Sequence, residues 1–464
     1  MDEKQVANLQ KNDGLKRGLD NRHIQLIAIG GAIGTGLFMG SGKTISVAGP
    51  SIILVYAIIG FMLFFVVRAM AELLLANTKY KSFIDFAADL LGPWAGYFIG
   101  WTYWLCWVVT GVADVIAIAG YAQFWWPELN EWIPVLICVV LFFTLNIVAV
   151  KLFGELEFWF ALIKIIAIIA LILVGLYLII TGFTAPNGVV SSFANVWNGG
   201  DLFPKGIMGF FAGFQIAVFA FVGIELPGTA AAEIKNPEVN LPRAINSIPT
   251  RIIFFYVVAL FIIMAVTPWS EVAPDRSPFV HMFVLVGVPI AASLVNFVVL
   301  TSAASSANSG IFSTSRMVFG LAVKKGAPGF MGKLARNHVP ANGLIFSCIC
   351  IIIAYALISN IPTIMGAFTV VTTISAILFM FVWSLILISY LAYRHTCPEL
   401  HKKSVYKLPG GIVMCWVVLA FFAFILVLLT LEPDTRIALL YTPIWFILLA
   451  LTYFLGAKKR YHQL

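Results

Sequence analysis

The feature that most limits the folds open to this chain is a succession of about twelve apolar segments, each near the length that a bilayer-crossing helix needs. A hydrocarbon core of ~30 Å takes about 20 helical residues. The segments cover approximately residues 22–47, 51–76, 94–125, 133–150, 156–182, 204–232, 246–268, 282–311, 342–360, 363–393, 411–431 and 438–456. In lipid a segment must satisfy its own backbone hydrogen bonds, so each is predicted to be a helix. The fold class is therefore an all-α polytopic membrane protein.

Composition excludes the other broad classes. Of 464 residues, 61% are hydrophobic and only 11% are charged. About a quarter of the residues in a soluble protein are charged, so these charges are too few to cover a soluble body of this size. The high apolar content also excludes a disordered chain, and glycine shows no three-residue period. Lipid is thus the expected surrounding.

The positive charges indicate which side the loops occupy. The formal net charge is +8, and most basic residues fall before the first segment and in every second loop. Such an excess marks cytoplasmic loops, so we expect a cytoplasmic (plasma) membrane protein with both termini cytoplasmic. A nucleic-acid partner is not expected, because apolar runs separate these charges. We expect a monomer or a weak oligomer.

The segments divide the chain into successive parts. These are a cytoplasmic tail (1–21), five segments (22–182), an extracellular loop (183–203), five further segments (204–393), a cytoplasmic loop (394–410), two last segments (411–456) and a cytoplasmic tail (457–464). Between the second and third segments, residues 80–91 place Phe83, Phe86, Ala87 and Leu90 on one helical face. This pattern predicts an amphipathic helix lying flat at the membrane surface.

The first and sixth segments are predicted to break midway. Residues 30–36 read GGAIGTG, and residues 221–228 read FVGIELPG. Interrupted helices in corresponding positions are typical of inverted-repeat transporters, whose half-helix ends meet near the bilayer midplane and bind substrate. Such backbone is stable at that depth only against protein or a water-filled cavity. Close helix packing through small residues is the alternative for either segment alone.

Two half-helix ends offer opposite polarity to a ligand. Free amides of one half point positively, and the last carbonyls of the other point negatively. A zwitterionic α-amino acid fits: its carboxylate would meet the amides of Thr35 and Gly36 and the Thr35 hydroxyl, and its ammonium would meet carbonyls around Ala32, Ile33, Ala220 and Phe221. The predicted substrate-binding residues are Ala32, Ile33, Gly34, Thr35, Gly36, Phe219, Ala220, Phe221, Val222 and Gly223.

Ionisable residues within the segments are the next candidates, because each costs ~2.5–3.5 kcal/mol or more at mid-helix. Lys164 has no acid within a helical turn. Burial favours its neutral form, so it could load and release a proton, or it could permanently bridge carbonyls of another helix. Glu225, at the second break, could carry a proton, line the path or cap free amides.

Three further acids have open roles, as gating or as structural residues. Asp114 lies alone on the third segment, eleven residues after Tyr103. Glu72 and Glu233 lie near a cytoplasmic end, where their charge could reach water. A polar stripe on the eighth segment could face the cavity or join helices: Thr301, Ser302, Ser305, Ser306, Asn308 and Ser309.

At these residues the chain resembles a known family. Residues 22–26 (RHIQL) with 30–38, residues 48–50 (AGP) through Ala71-Glu72, and residues 221–225 with 235–237 (KNP) and 241–244 (LPRA) are similar to motifs of amino acid transporters in the amino acid/polyamine/organocation superfamily. Residues 211–219 and 301–310 resemble members that carry small neutral amino acids. The resemblance implies a leucine-transporter-like core of 5+5 inverted helices with alternating access. Residues 22–182 would be the first five-helix repeat, 204–393 the second, inverted five-helix repeat, and 411–456 two peripheral helices. It also implies a proton-coupling role for the fifth-helix Lys164.

The expected function is import of small neutral amino acids (D-alanine, D-serine, glycine, L-alanine) by proton symport. An amino-acid exchanger of the same fold is the alternative, and a channel is a weaker one because no repeated pore lining is present. The six histidines and six cysteines show no ligand spacing, and no nucleophile and base pair is evident, so neither an enzyme nor a metal site is expected. The proton gradient, rather than a cofactor, would supply the energy.

Overall fold

The computed structural model describes residues 33–77, 80, 82–148, 150–197, 201–229, 236–335 and 339–461, with backbone alone for 148 and 150–156. These residues form helices joined by short turns and loops. The predicted all-helical fold class is confirmed for this part of the chain. Several residues used in the predictions lie outside the described residues: Gly30, Gly31, Ala32 and Glu233 of the predicted sites, residues 22–26 and Lys235 of the family motifs, and the predicted tail 1–21.

The helices of the first half follow the predicted segments closely. They are α1 (Thr35–Phe38), α2 (Gly40–Ala48), α3 (Ile52–Ala76), α4 (Phe83–Leu91), α5 (Pro93–Gln123), α6 (Trp132–Val148) and α7 (Val150–Ile180). A 3₁₀ turn over Gly49–Ser51 joins α2 to α3. Gly49 adopts a φ of +60° there, which a residue with a side chain rarely takes, so the first and second segments separate at this glycine.

The second half is more interrupted. Its helices are α8 (Gly206–Ala217), α9 (Leu226–Thr229), α10 (Pro237–Asn246), α11 (Ile248–Ile252), α12 (Ala259–Val266), α13 (Pro278–Leu285), α14 (Pro289–Val323), α15 (Ala341–Ile358), α16 (Ile364–Thr396), α17 (Pro398–Lys403), α18 (Gly411–Leu428), α19 (Pro433–Thr452) and α20 (Lys458–Tyr461). A π-helical turn over Ile253–Val258 joins α11 to α12 within the seventh segment.

Within the described residues, ten helical stretches are long and apolar enough to cross a membrane, and the shorter apolar helix Trp132–Ile147 is close to that length. The predicted span 282–311 was wrong in its boundaries. Gly287, with a φ of +75°, separates the short α13 from α14, which begins at Pro289 and continues to Val323. The prediction missed the last turns of α14 because the polar residues of this helix lower its hydropathy below that of lipid-facing helices.

The central helices are the third and tenth spans. In the most apolar window of α5, 83% of the residues are buried, and the figure for α16 is 78%. The corresponding windows of α18 and the last span are 28% and 22% buried. Side chains of α5 and α16 thus pack against protein, whereas α18 and α19 leave most of their apolar surface for lipid.

Helix α4 has the predicted apolar face, and this face packs against protein. Phe83 and Phe86 are fully buried, and the Phe83 ring lies 4.9 Å from the Tyr103 ring of α5. On the polar side, Asp85 forms an ion pair with Lys324. This face therefore packs on α5 and α16, and the position of α4 flat at the membrane surface stays a prediction.

Candidate functional site

The sixth segment is broken, as predicted. Helix α8 ends at Ala217 and continues as a 3₁₀ turn through Val218–Phe221. Val222 then has an extended conformation (φ −57°, ψ 134°), and Gly223 has a φ of +96°. Only glycine adopts such a φ readily, so Gly223 is where the chain leaves the helix. Helical structure resumes at Leu226.

The described part of the first break has the same character. Ile33 and Gly34 precede the helix, and Gly34 has an extended backbone (φ −135°, ψ −163°). Helix α1 begins at Thr35. The amide groups of Leu37 and Phe38 both bond the Gly34 carbonyl, at 3.2 Å each. The hydrogen bonds of the first turn therefore leave the amides of Thr35 and Gly36 at the open end of the helix.

The two breaks face each other at close range. A Cβ atom on Gly36 would lie 2.5 Å from Ala220 Cα and 2.9 Å from the Phe219 ring. Such distances exclude any side chain, so Gly36 is required for the approach of the two backbones. Ile33, Thr35, Phe219 and Ala220 are all buried in protein rather than turned to lipid.

Two of the carbonyls expected to bind an ammonium group already accept one hydrogen bond each. The Ser302 hydroxyl of α14 donates to the Ile33 carbonyl at 3.3 Å. The Tyr256 hydroxyl donates to the Ala220 carbonyl at 2.8 Å. A carbonyl oxygen has two lone pairs, so each retains capacity for a ligand. The Phe221 ring stacks on Tyr256 at 5.0 Å, which makes it a support of the break.

Asp114 contacts the first break directly. The Thr35 hydroxyl donates a hydrogen bond to Asp114 Oδ1 at 2.7 Å, and both side chains are buried. Ser306 of α14 lies near this break, with its hydroxyl oxygen 3.8 Å from where a Cβ on Gly34 would lie. The expectation that Thr35 offers its hydroxyl proton to a ligand does not match this arrangement, in which Thr35 donates that proton to Asp114. Sequence spacing could not reveal this pair, because its members lie on different helices.

Lys164 is almost fully buried, with 1% of its surface exposed. Its charge interacts with Glu157, seven residues earlier on α7, and with Asp114. Seven residues are about two helical turns, so Glu157 lies on the same face of α7 as Lys164. The Ser305 hydroxyl lies 3.0 Å from both Glu157 oxygens. Sequence reasoning missed Glu157, although its heptad spacing from Lys164 was a usable signal.

Glu225 lies in the turn between the two halves of the sixth segment and is fully buried. The Tyr103 hydroxyl of α5 donates to Oε1 at 3.1 Å. The Trp383 indole of α16 donates to Oε2 at 3.3 Å. The third and tenth spans thus hold this carboxylate at the break, and Trp383 is a partner that the sequence did not suggest.

The polar stripe of α14 joins helices around this site. Ser302 and Ser305 bond Ile33 and Glu157, as described above. Asn308 accepts a hydrogen bond from the Asn146 amide of α6 at 2.8 Å. The stripe therefore connects the first break with the fourth and fifth spans. The sequence signal for this polar stripe was a stretch of low hydropathy in an otherwise apolar helix.

Glu72 does not reach water. It is fully buried at the end of α3, where Oε1 lies 2.6 Å from His401 Nδ1 and Oε2 accepts the Leu408 amide at 2.6 Å. One turn earlier, Arg68 binds Asn246 at 2.9 Å, the Lys407 carbonyl and the face of the Tyr406 ring. Burial raises the pKa of Tyr406, so its hydroxyl stays protonated and donates to Asn246. Glu72 thus joins α3 to α17 and to the loop that follows α17.

Metal chemistry has no evident place in the described ranges, where no group of three or more His, Cys, Asp or Glu side chains could hold an ion. The polar groups are instead distributed around two broken helices in an apolar body. This combination of fold and site defines a membrane carrier for a small polar solute.

The sequence profile of amino acid permeases matches residues 23–464. The chain therefore belongs to the amino acid permease family, and it is a multi-pass membrane protein that carries amino acids. The family resemblance of the sequence motifs is confirmed.

Relatives cover nearly the whole chain. A D-serine/D-alanine/glycine transporter of Escherichia coli (strain K12) is 67% identical over 450 residues, 97% of this chain and 96% of that protein. The amino-acid permease AapA of Bacillus subtilis (strain 168) is 52% identical over 452 residues, 97% of both chains. The DL-alanine permease SerP2 of Lactococcus lactis subsp. cremoris (strain MG1363) is 42% identical over 455 residues, 97% and 98%. All three are named transporters or permeases rather than enzymes.

Proposed function

We propose that this permease imports small neutral amino acids, namely D-alanine, D-serine, glycine and L-alanine, by proton symport. The observation that carries the proposal is the contact of two helix breaks at Gly36 and Ala220, beside a buried lysine and two buried acids. The names of the relatives support the substrate class, because they refer to D-serine, D-alanine, glycine and DL-alanine.

The break residues suit a zwitterion. Amides of Thr35 and Gly36 would bind the carboxylate, and the free lone pairs on the Ile33 and Ala220 carbonyls would accept the ammonium group. Ala32, which was assigned to the same task, lies outside the described residues. Recognition of this kind uses backbone groups and reads the part that all α-amino acids share.

The residues around the proposed substrate position favour an amino acid with a small side chain. The Phe219 ring lies against Gly36 and 6.1 Å from the Phe368 ring of α16. Both aromatic residues are buried and fixed by their neighbours. An amino acid with a hydrogen, methyl or hydroxymethyl side chain needs little further space, whereas a branched side chain would have to displace a ring.

Proton coupling is proposed for Lys164, with Glu225 as the second group. A lysine that is 1% exposed can exchange its proton when conformation changes its surroundings. Glu157 and Asp114 on either side of it provide groups to receive or supply that proton. Loading from outside and release inside would let the gradient drive accumulation, with the two five-helix repeats exchanging access around the fixed site.

Uptake by proteoliposomes tests the proposal. Radiolabelled D-alanine, glycine and L-alanine are supplied with and without an imposed proton gradient, acidic outside. We expect accumulation above the equilibrium level only with the gradient. Uptake that ignores the gradient would contradict proton symport.

The same vesicles separate the alternatives. Uptake that requires preloaded internal amino acid would favour an exchanger, and ohmic current in a planar bilayer would favour a channel.

We also place both termini in the cytoplasm, on the basis of the basic loops. A reporter that is active only in the cytoplasm, fused to the carboxyl end, should be active. Sedimentation of the detergent-solubilised protein tests the expected monomer or weak oligomer.

A further inference from the structure

The hydrogen bond from Thr35 to Asp114 uses the hydroxyl proton that a bound substrate could otherwise accept. Thr35 is the first residue of α1, beside the proposed place of the substrate carboxylate. Its single hydroxyl proton is donated to Asp114 Oδ1 over 2.7 Å. A hydroxyl has only one proton to donate, so in this arrangement Thr35 cannot also donate to a ligand.

We propose that Asp114 is a positioning residue whose protonation reverses this hydrogen bond and releases the Thr35 hydroxyl to bind the substrate carboxylate. The inference rests on the proposed function. When Asp114 is ionised it is only an acceptor, and Thr35 must donate to it. When Asp114 takes up a proton, its own O–H donates to Thr35 Oγ1. The Thr35 proton then points away from Asp114 toward the break.

Burial makes the reversal effective. Asp114 is fully buried and Thr35 is 2% exposed, so no bulk water competes for either group. Hydrogen bonds to charged groups are stronger in such surroundings, and an ionised Asp114 would hold Thr35 firmly. The same charge would repel a carboxylate bound at the break. Protonation removes the repulsion and provides a donor, and both changes favour substrate binding.

Among the described residues, Lys164 of α7 is the charged side chain that interacts with Asp114, and Glu157 interacts in turn with Lys164. Tyr121 lies on its own helix, two turns later. The neighbours on α1 and α14, Thr35 and Ser306, do not titrate. Because the charges of Lys164 and Asp114 interact, a proton on one group affects the other, which connects the hydroxyl reversal to the proposed coupling lysine.

The sign of the pH dependence follows. At low pH Asp114 is protonated, the Thr35 hydroxyl is available and the substrate binds tightly. As pH rises Asp114 ionises, recaptures the hydroxyl and weakens binding. On the extracellular side, where the gradient supplies protons, Asp114 is protonated and the site binds substrate tightly. Loss of the proton to the cytoplasm would weaken the same site and promote release.

The test is equilibrium binding of radiolabelled glycine and D-alanine to the purified full-length protein in nanodiscs, from about pH 5 to about pH 9. For the wild type we expect affinity to fall by about tenfold across this range, the size of one hydrogen bond to a charged group. Asp114→Asn should bind tightly at every pH, because an amide N–H donates to Thr35 Oγ1 as a protonated acid would.

Variants at position 35 provide the second arm. Thr35→Val should bind weakly for both ligands, with a flattened pH dependence, and Thr35→Ser should restore the wild-type slope. Thr110→Val is the matched control. It removes another buried hydroxyl one turn from Asp114, whose partner is Ser375 at 2.9 Å, and it should keep the wild-type slope.

The outcomes are distinct. A wild-type slope in Asp114→Asn, or in Thr35→Val, would overturn the inference while leaving amino-acid binding established. If Asp114→Asn cannot be purified, the comparison of valine with serine at position 35 decides the question alone. Absence of glycine and D-alanine binding in the wild type at every pH would contradict the proposed function, and the inference with it.

Discussion

The hydroxyl of Tyr103 donates a hydrogen bond to Glu225 Oε1 at 3.1 Å and so connects the third span with the interruption of the sixth. The two residues are 122 positions apart in the chain. On the other side of the carboxylate, Trp383 donates at 3.3 Å from the tenth span. Hydrogen bonds from these donors favour the ionised carboxylate and burial favours the neutral acid, so the two effects on Glu225 act in opposite directions.

Substitution Glu225→Gln tests whether this carboxylate carries a proton. Glutamine keeps an oxygen that Tyr103 can bond, so the break should retain its shape. We expect gradient-driven accumulation of D-alanine to be lost, whereas exchange of internal for external D-alanine continues. Tyr103→Phe is the comparison, since it removes a donor but no titrating group. Full accumulation by Glu225→Gln would reduce Glu225 to a cap of the second half-helix.

Lys164 and Glu157 should act together on coupling. Lys164→Ala is expected to abolish accumulation driven by the proton gradient. Glu157→Gln should reduce it, because the proton loses its acceptor on the same face of α7. The measurement is uptake of glycine into vesicles as a function of the imposed gradient. Glu238→Gln, an exposed acid of α10, is the control for loss of a carboxylate. Wild-type accumulation by Lys164→Ala would reject its role.

Gly36→Ala should separate the two breaks. The added Cβ would lie 2.5 Å from Ala220 Cα, and since that neighbour is backbone it cannot rotate away. Overpacking of this kind costs about 1–3 kcal/mol or more, and we expect D-alanine binding to be lost. Gly320→Ala on α14 is the matched control, because nothing lies within 4 Å of its added Cβ. Equal binding by both variants would show that the close approach is not needed.

Phe219→Ala should widen the substrate range. Removing the ring that covers Gly36 leaves space for a larger side chain, and affinity for valine relative to glycine should rise by about tenfold. A competition panel against labelled glycine measures this. Phe211→Ala is the control, because Phe211 packs on Phe424 of the peripheral α18, with ring centroids 5.4 Å apart. An unchanged panel for Phe219→Ala would mean that another residue limits size.

Glu72 joins α17 and the loop that follows it to α3. Replacing it by alanine leaves the Leu408 amide and His401 without their acceptor, and we expect a loss of about 1–3 kcal/mol in stability. Thermal unfolding in detergent and protease cleavage within residues 397–410 measure the effect. Glu399→Gln breaks only the exposed pair with Lys402 and should change stability by less than about 1 kcal/mol. Similar cleavage of both variants would contradict the structural role of Glu72.

Much of the fold could be predicted from local patterns. The helices follow from apolar length, and the break at Gly223 follows from a glycine in an apolar segment that also contains a glutamate and a proline. Lys164 was recognisable because a lone charge in such a segment is rare. Boundaries failed at Gly287, since a glycine turn between two apolar helices leaves hydropathy unchanged.

The hydrogen-bond partners of the buried side chains could not be predicted from local sequence patterns. Thr35 and Asp114 lie 79 residues apart, and Glu225 and Trp383 lie 158 apart. Which side chains meet depends on how each helix is rotated about its axis and on which helix packs beside it. In lipid, apolar faces are nearly equivalent in energy, so hydropathy says little about that rotation. It is set by close approaches such as Gly36 against Ala220 and by buried hydrogen bonds.

The sequence by itself thus determined a membrane-spanning helical chain with two interruptions, because chain length in lipid and backbone hydrogen bonding are properties of each segment alone. Only the tertiary structure decided that the Thr35 hydroxyl donates to Asp114, that Glu157 accompanies Lys164, and that Glu72 holds a loop instead of reaching water. The reason is that a buried polar group takes whatever partner the packing of distant helices brings within hydrogen-bond distance.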